Sequence, residues 1–278
     1  MIDFHTHIFA PEMRADRSSF ASDPGFAALY SSESSRMAGH EDLVRTLTDN
    51  AIDHAVAMSF PWEEEPHAAL HNRYLLEAAA ESAGKIIPFA CVPRRCTDIA
   101  GFMKDLAGQE FRGVGELAFY ADGFTASAGE FLRRVFSAAT EHRMMVCLHL
   151  NEPIGHPYPG KYPTPFARVY ALIQEFPDVT IILSHWGGGI LFYELMPEVR
   201  AAFGNVYYDT AASPYIYANE VYAAALGITG PERILFGTDY PLLGPAKYLA
   251  AIGAMTISEN MKQAMLDGNA RRLLFPGA

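Results

Sequence analysis

An alternation running the length of this 278-residue chain constrains its fold more than any other feature. Eight short apolar runs, rich in β-forming residues, occupy 2–5, 54–60, 86–92, 113–118, 144–150, 180–185, 206–210 and 233–239. Stretches with helical character separate them, over 41–51, 67–83, 98–106, 128–142, 164–176, 191–203 and 215–226, with 245–255 and 258–274 after the last run. Continuously apolar strands alternating with helices predict a parallel sheet covered by helices. Eight such units predict closure, so the expected fold is α/β, a (β/α)8 TIM barrel. The whole chain, 1–278, is read as one domain, since barrels of roughly 250 residues commonly form one. An open, doubly wound sheet is the competing architecture, because a strand count taken from sequence slips easily. The longest connection, 8–40, gives the barrel a long loop after strand 1, and loops of that length are usually functional.

Composition removes several classes. Half of the residues are hydrophobic and 19% are charged, which supports a large core and argues against disorder. The 32 acids and 21 bases leave a net charge of −11, with no basic stripe of the kind nucleic-acid binders carry. No nucleic-acid partner is therefore expected. No apolar run reaches the roughly 18 residues of a membrane span, so no membrane partner is expected. Three cysteines cannot all pair; Cys91 and Cys147 lie in apolar runs and read as buried reduced thiols. That usage suits a reducing cytosol, and no leader precedes the first run, so the expected location is cytoplasmic. The expected partner is a small-molecule substrate, with a homo-oligomer possible.

The polar residues at the ends of the runs carry the chemistry. His5 and His7 end the first run; alternate residues of a strand share a face, so two imidazoles form a chelating pair. Glu116 lies in the fourth run, and His149, His185 and Asp239 end the fifth, sixth and eighth. In a barrel these ends open onto one face, where active sites are built. Convergence of six metal-capable side chains from five strands predicts a divalent metal site, since scattered structural histidines have no reason to align. Zinc is the first choice of ion, with Mn, Fe or Co alternatives for such nitrogen and oxygen ligands.

With these residues in place the chain resembles the amidohydrolase superfamily. The supporting motifs are His5-Thr6-His7, the single histidines after runs five and six, Ser184-His185-Trp186-Gly187-Gly188, Gly237-Thr238-Asp239-Tyr240-Pro241 and Gly268-Asn269-Ala270-Arg271-Arg272-Leu273. More closely it resembles the amidohydrolase-related branch that contains aminocarboxymuconate-semialdehyde decarboxylase. The resemblance implies that His5, His7, His149 and Asp239 bind the metal and that Asp239 also accepts a proton from metal-bound water. It implies that His185 is a further ligand or a catalytic imidazole. Glu116, in Gly115-Glu116-Leu117, looks like the strand-four ligand of the metal-dependent deoxyribonuclease branch and is counted as a metal ligand. The lysine that other members carboxylate to bridge two metals is missing, so one metal is expected unless Glu116 serves instead.

Other residues admit a functional and a plain reading. The loop Asn151 to Lys161 is too rich in proline and glycine for a helix and follows the fifth run. His156, Tyr158 and Lys161 are expected to bind substrate there; the alternative is a solvated turn. Trp62 and Trp186, just past strand ends, are expected to be pocket walls, with core packing as the alternative. Arg94 and Arg95 read as a solvated pair. Gly187-Gly188-Gly189 lacks the Lys-Ser/Thr of a phosphate loop and reads as close packing. Asp3 reads as a strand-start residue, with support of the His pair as the alternative. His40, His54, His67, His71 and His142 read as structural or solvated.

The expected activity is hydrolysis of a small amide, lactone or ester by metal-activated water, with Asp239 as general base. The alternative is metal-dependent non-oxidative decarboxylation of an unsaturated or aromatic carboxylate. A phosphodiesterase ranks third, disfavoured by the acidic charge. A non-catalytic metal-binding barrel is disfavoured because binding alone does not need a general base.

Overall fold

A computed structural model describes residues 1–277. The runs form eight strands: β1 (Ile2–His7), β2 (His54–Met58), β3 (Ile86–Ala90), β4 (Gly113–Leu117), β5 (Met145–Leu148), β6 (Ile181–Leu183), β7 (Val206–Asp209) and β8 (Ile234–Leu235). Each pairs in parallel with the next, in sequence order. The ends of the sheet then meet. Phe4 N–H donates to Phe236 O at 2.7 Å, Asp239 N–H to His5 O at 2.9 Å and His7 N–H to Tyr240 O at 2.6 Å. A parallel bridge joins Thr6 to Tyr240. These bonds close the (β/α)8 TIM barrel and exclude the open sheet.

Outside lie α1 (His40–Asp49), α2 (Glu65–Glu81), α3 (Ile99–Ala107), α4 (Ala126–His142), α5 (Phe166–Glu175), α6 (Pro197–Ala202), α7 (Glu220–Thr229), α8 (Ala246–Gly253) and α9 (Asn269–Leu274). Asp98 and Thr125 cap α3 and α4 by accepting from Gly101 N–H and Ala128 N–H, which would otherwise lack partners. The helix expected over 191–203 is two pieces, a 3-10 turn at Ile190–Leu195 and then α6. Pro197 is the cause: it forces Met196 into extended backbone (ψ 121°). No helix of the described residues is long and apolar enough to cross a membrane.

The lower barrel is packed with Ile2, Phe4, Val56, Met58, Ile87, Phe89, Met145, Cys147, Ile182 and Leu235, closed beneath by Ala270 and Leu274 of α9. A larger apolar shell lies between strands and helices. All three cysteines are buried free thiols. The loop after β1 folds into short helices, Pro11–Ala15 and Pro24–Tyr30; its Phe26 stacks on Trp62 and meets Phe60 edge-on, and its Phe20 packs tilted on Trp62.

Two irregularities set which side chains enter the mouth. In β1, Ile2 and Phe4 point into the lower core, so strict alternation would send His5 and His7 outward. The pairing register shifts between Asp3 and Thr6 and reverses this. In β4, Val114 packs in the outer shell, and strict alternation would place Glu116 there too. A shift between Val114 and Leu117 turns Glu116 inward. Gly115 sits at that shift with φ +146°, and a Cβ on it would meet Cys147 Cβ at 2.6 Å.

Candidate metal centre

The centre begins with the two β1 imidazoles. His5 Nδ1 lies 2.7 Å from Asp209 Oδ2, and His7 Nδ1 lies 3.2 Å from the Met58 carbonyl. A carboxylate and a carbonyl only accept, so each Nδ1 carries the proton and each Nε2 of a neutral ring presents a lone pair. Those Nε2 atoms face each other at 3.0 Å. Asp239 Oδ1 stands 3.4 Å from His7 Nε2 and 3.8 Å from His5 Nε2. Glu116 brings Oε1 to 3.7 Å from His5 Nε2 and Oε2 to 3.9 Å from His7 Nε2. Two lone pairs and two carboxylates converge, an arrangement that repels itself unless a positive charge lies among them. Donor atoms on metal bonds of about 2.1 Å sit about 3.0–3.4 Å apart for right-angled to tetrahedral geometry. The residues therefore fit a divalent cation. Nitrogen and oxygen donors of this kind do not single out zinc.

A second set adjoins the first through Glu116. Its Oε1 lies 2.9 Å from His149 Nδ1 and 3.3 Å from His185 Nε2, and the two rings approach to 3.1 Å. His185 Nδ1 faces the Ala211 carbonyl at 3.1 Å, which turns Nε2 toward Glu116. The potential ligands fall into three groups, of which His5/His7/Glu116 and Glu116/His149/His185 share Glu116, and the third joins His5 to Cys147 and Asp209. Every residue expected at the metal, Glu116 included, is in this cluster.

Electrostatics agree with the geometry. Burial would favour neutral His5, but Asp209 and Glu116 outweigh it and raise its pKa to about 9. Burial likewise opposes the charge on His185, and hydrogen bonding and attraction to Glu116 lift it to about 10. Against its own burial, Glu116 is held well below the usual carboxylate range by His149 and His5. Asp239, also against burial, is held down to about 2 by His7, His5 and His185. The carboxylates and imidazoles call for added positive charge, whether as protons or as a metal ion.

Backbone strain is concentrated here. His185 (φ 57°) and Asp239 (φ 61°) occupy the left-handed region that non-glycine residues seldom adopt. Asp239 is held there by its N–H to His5 O at 2.9 Å. His185 is held by its N–H to Asp209 Oδ1 at 2.8 Å. Asp209 therefore anchors both His5 of β1 and His185 just after β6, a role absent from the sequence expectations. Its signal was available, since it stands at the end of the seventh run like the ligands of its neighbours.

Asp3 corrects the reading of a simple strand-start residue. It is buried and accepts from Thr238 Oγ1 at 2.7 Å, Thr238 N–H at 3.0 Å and His5 N–H at 3.2 Å. It ties the ligand-bearing ends of β1 and β8 together. Burial pushes its pKa up to about 7 against these hydrogen bonds.

The expected substrate contacts divide. Trp62 and Trp186 are both 0% exposed, core residues rather than pocket walls. Trp62 Nε1–H donates to His71 Nδ1 at 3.0 Å, and Trp186 Nε1–H to Ser213 Oγ at 2.7 Å. A buried indole needs such a partner, and finding one inside the protein removed both rings from the mouth. Lys161 staples its own loop, with Nζ donating to the Ile154 carbonyl at 2.7 Å and the His156 carbonyl at 3.1 Å. His156 is exposed at the loop surface. Tyr158 is half-buried, with its hydroxyl between Asn151 and Glu152. Arg95 is a solvated side chain paired with Glu64, as expected, whereas Arg94 is 15% exposed, pairs with Asp122 and lies 4.7 Å over the Phe119 ring. Gly188 marks the expected close packing, since a Cβ there would meet Asn151 O at 2.5 Å. The half-buried rings at the mouth are ones the sequence reading left out. Tyr120 packs edge-on to His149 at 5.3 Å and stacks on Phe60 at 5.9 Å, and Tyr30 meets Phe60 at 5.8 Å.

None of the curated proteins matches this sequence. Solved structures match its fold from end to end. A 5-carboxyvanillate decarboxylase from Sphingomonas paucimobilis has a TM-score of 0.80 at 15% identity, covering 99% of this chain and 98% of that one. A dihydroxybenzoic acid decarboxylase from Polaromonas, solved with manganese and 2-nitroresorcinol, has a TM-score of 0.74 at 17% identity, covering 98% and 96%. A 2,6-dihydroxybenzoate decarboxylase from Rhizobium has a TM-score of 0.71 at 18% identity, covering 98% of each. The family model for amidohydrolases matches residues 2–275, and the chain belongs to that family.

Proposed function

We propose that the protein is a divalent-metal-dependent, non-oxidative decarboxylase of an aromatic or unsaturated carboxylate. This corrects the hydrolytic reading of the sequence. Structures sharing its fold end to end decarboxylate 5-carboxyvanillate and dihydroxybenzoates, and that comparison overturns hydrolysis of an amide, lactone or ester. Hydrolysis and decarboxylation call on the same metal ligands, so the ligands alone did not separate them.

The observation that carries the reading is an aromatic wall beside the ligands. Tyr120 packs edge-on to His149, Phe60 stacks on Tyr120 and Tyr30 packs edge-on to Phe60, and Tyr30 is close enough to Asp239 and Glu116 for their charges to raise its pKa further after burial has done so. Such a wall offers a planar aryl ring offset-stacked and edge-on contacts. Manganese, present in one fold relative, suits the mixed imidazole and carboxylate ligands as well as zinc does.

His5, His7, His149 and Asp239, with Glu116 beside them, would hold a divalent ion, which would supply positive charge to fix the substrate's oxygen atoms. The chain's own groups move the proton. In the overall reaction the ring carbon bearing the carboxylate gains a proton and the carbon–carbon bond breaks. Its electron pair stays with the ring, and CO2 leaves. Asp239 is 16% exposed at its side chain, the most open group of the centre, and is assigned as the residue that exchanges this proton. His185, anchored through Asp209 and the Ala211 carbonyl, is assigned to orient or polarise the substrate.

The test is a product assay. Purified protein reconstituted with Mn(II) is offered hydroxylated benzoates and unsaturated carboxylates, beside lactones and amides. Release of CO2 from a carboxylate, lost in Asp239→Asn, is expected. Hydrolysis of a lactone or amide with no CO2 from any carboxylate contradicts the proposal.

A further inference from the structure

A second concave site lies at the opposite end of the barrel from the metal centre. Where α2, α3 and α4 end and β3, β4 and β5 begin, the chain encloses a cavity of about 770 Å³. That volume falls within the range of small-molecule sites. Its floor is apolar, with Ile86, Ile87, Phe111 and Met144 all buried. Its rim is basic. Arg112, just before β4, and Arg143, just before β5, line it with His142 beside them, and Glu110 is the one acid of the lining.

Both guanidinium groups are free. The chain carries a net charge of −11, and its other arginines, Arg36 apart, pair with carboxylates or donate to carbonyls. The side chains of Arg112 and Arg143 make no hydrogen bond or ion pair among the described residues, and both are exposed. Basic residues near helix ends commonly serve the last carbonyls of the helix. Here backbone groups already do so. Gly84 N–H donates to Ala79 O at 3.2 Å beyond α2, and Met144 N–H donates to Ala139 O at 3.0 Å beyond α4. Helix capping therefore does not account for the two arginines.

We propose that this cavity binds a small organic carboxylate with a flat apolar body. Two guanidinium groups on one rim offer a carboxylate charge-assisted hydrogen bonds in the planar geometry it prefers. The apolar floor receives the body, and burial there adds binding that a bare anion cannot gain. A neutral ligand of the same shape leaves both guanidinium groups unpaired. The concave shape suits a small molecule better than a protein surface. The site shares no residue with the metal centre and stands whether or not the protein is a decarboxylase.

The test uses the full chain and reads each arginine separately. Phenylglyoxal modifies exposed guanidinium groups, and peptide mass spectrometry gives the rate at each one. 2-Naphthoate is expected to slow modification of Arg112 and Arg143 and to leave Arg36 unchanged. Naphthalene-2-methanol keeps the ring without the charge, and acetate keeps the charge without the ring; neither is expected to protect at the same concentration. In Arg112→Gln the naphthoate concentration that half-protects Arg143 should rise at least about tenfold, because a charge-assisted hydrogen bond is lost. Arg143→Asn, a residue suited to the φ of 54° at that position, should do the same to Arg112. His5→Ala/His7→Ala should show wild-type protection, which separates this site from carboxylate binding at the metal centre. Four results overturn the proposal: no protection up to about 1 mM naphthoate, equal protection by naphthalene-2-methanol or acetate, undiminished protection in both arginine variants, or lost protection in His5→Ala/His7→Ala.

Discussion

Two buried histidine environments in this protein look alike by exposure and differ in every other respect. His71, on α2, is 0% exposed, as is His5 on β1. His71 is fully satisfied by protein. Its Nδ1 accepts from Trp62 Nε1–H at 3.0 Å and its Nε2–H donates to the Ile8 carbonyl at 2.7 Å. Burial holds its pKa down to about 4, so the ring is neutral and serves as a polar stitch between the loops after β1 and β2. His5 instead spends Nδ1 on Asp209 and, when neutral, aims a bare Nε2 at the Nε2 of His7. Burial is common to both. What distinguishes a ligand from a core histidine is whether the proton count around the ring closes without an added cation.

That contrast can be broken most forcefully at Asp239. Asp239→Asn is nearly isosteric and keeps the Asp239 N–H to His5, so it should fold, yet lose about 10²–10⁴-fold in turnover, the usual worth of a positioned acid-base group. His71→Leu should do the reverse. It leaves the Trp62 N–H and the Ile8 carbonyl without partners, at about 1–3 kcal/mol for each orphaned group, measurable by urea denaturation. Turnover per folded molecule and metal binding should hold. If His71→Leu loses metal while keeping its stability, the two histidines have been assigned the wrong way round.

A smaller and graded effect follows from acid. The unfolded His71 ring takes a proton near its ordinary 6.5, whereas the folded ring resists until about 4. Between those values the unfolded state binds more protons, so stability falls as pH falls through the window and the loss is complete below about 4. The loss is on the order of 3 kcal/mol. Urea midpoints for wild type and His71→Leu between pH 7 and 4 should converge as this contribution disappears. Parallel curves would contradict it.

Much of the fold was legible because its signal is coarse. Eight apolar runs spaced by helical stretches survive errors of a residue or two at each end, and the ligands were found as polar residues closing apolar runs. What was hidden depends on single-residue geometry. Reading His5 and His7 as one face of a regular strand brings the two rings together, as the structure does, but the register shift beside Asp3, invisible in sequence, is what turns that face inward. Glu116 needed the same device in β4. Trp62 and Trp186 were placed by proximity to strand ends, yet each indole found an internal acceptor and left the mouth. Lys161 is expected at the substrate, and its own loop carbonyls claim it. Asp209 closes the seventh run as the candidate ligands close theirs, and its role shows in its contacts to His5 and His185. The chemistry stayed open for a different reason. The same ligand set serves hydrolysis and decarboxylation, so the choice lies with the aromatic residues of the mouth, whose packing is tertiary.

The central claim, that the unclosed proton count around His5 and His7 marks a divalent-ion site, is tested most directly by calorimetric titration of metal-free protein with Mn(II). Wild type and His71→Leu should bind the ion at the centre, and His5→Ala/His7→Ala should lose that binding while remaining folded. Equal Mn(II) binding by wild type and His5→Ala/His7→Ala, or none by wild type, would contradict the account.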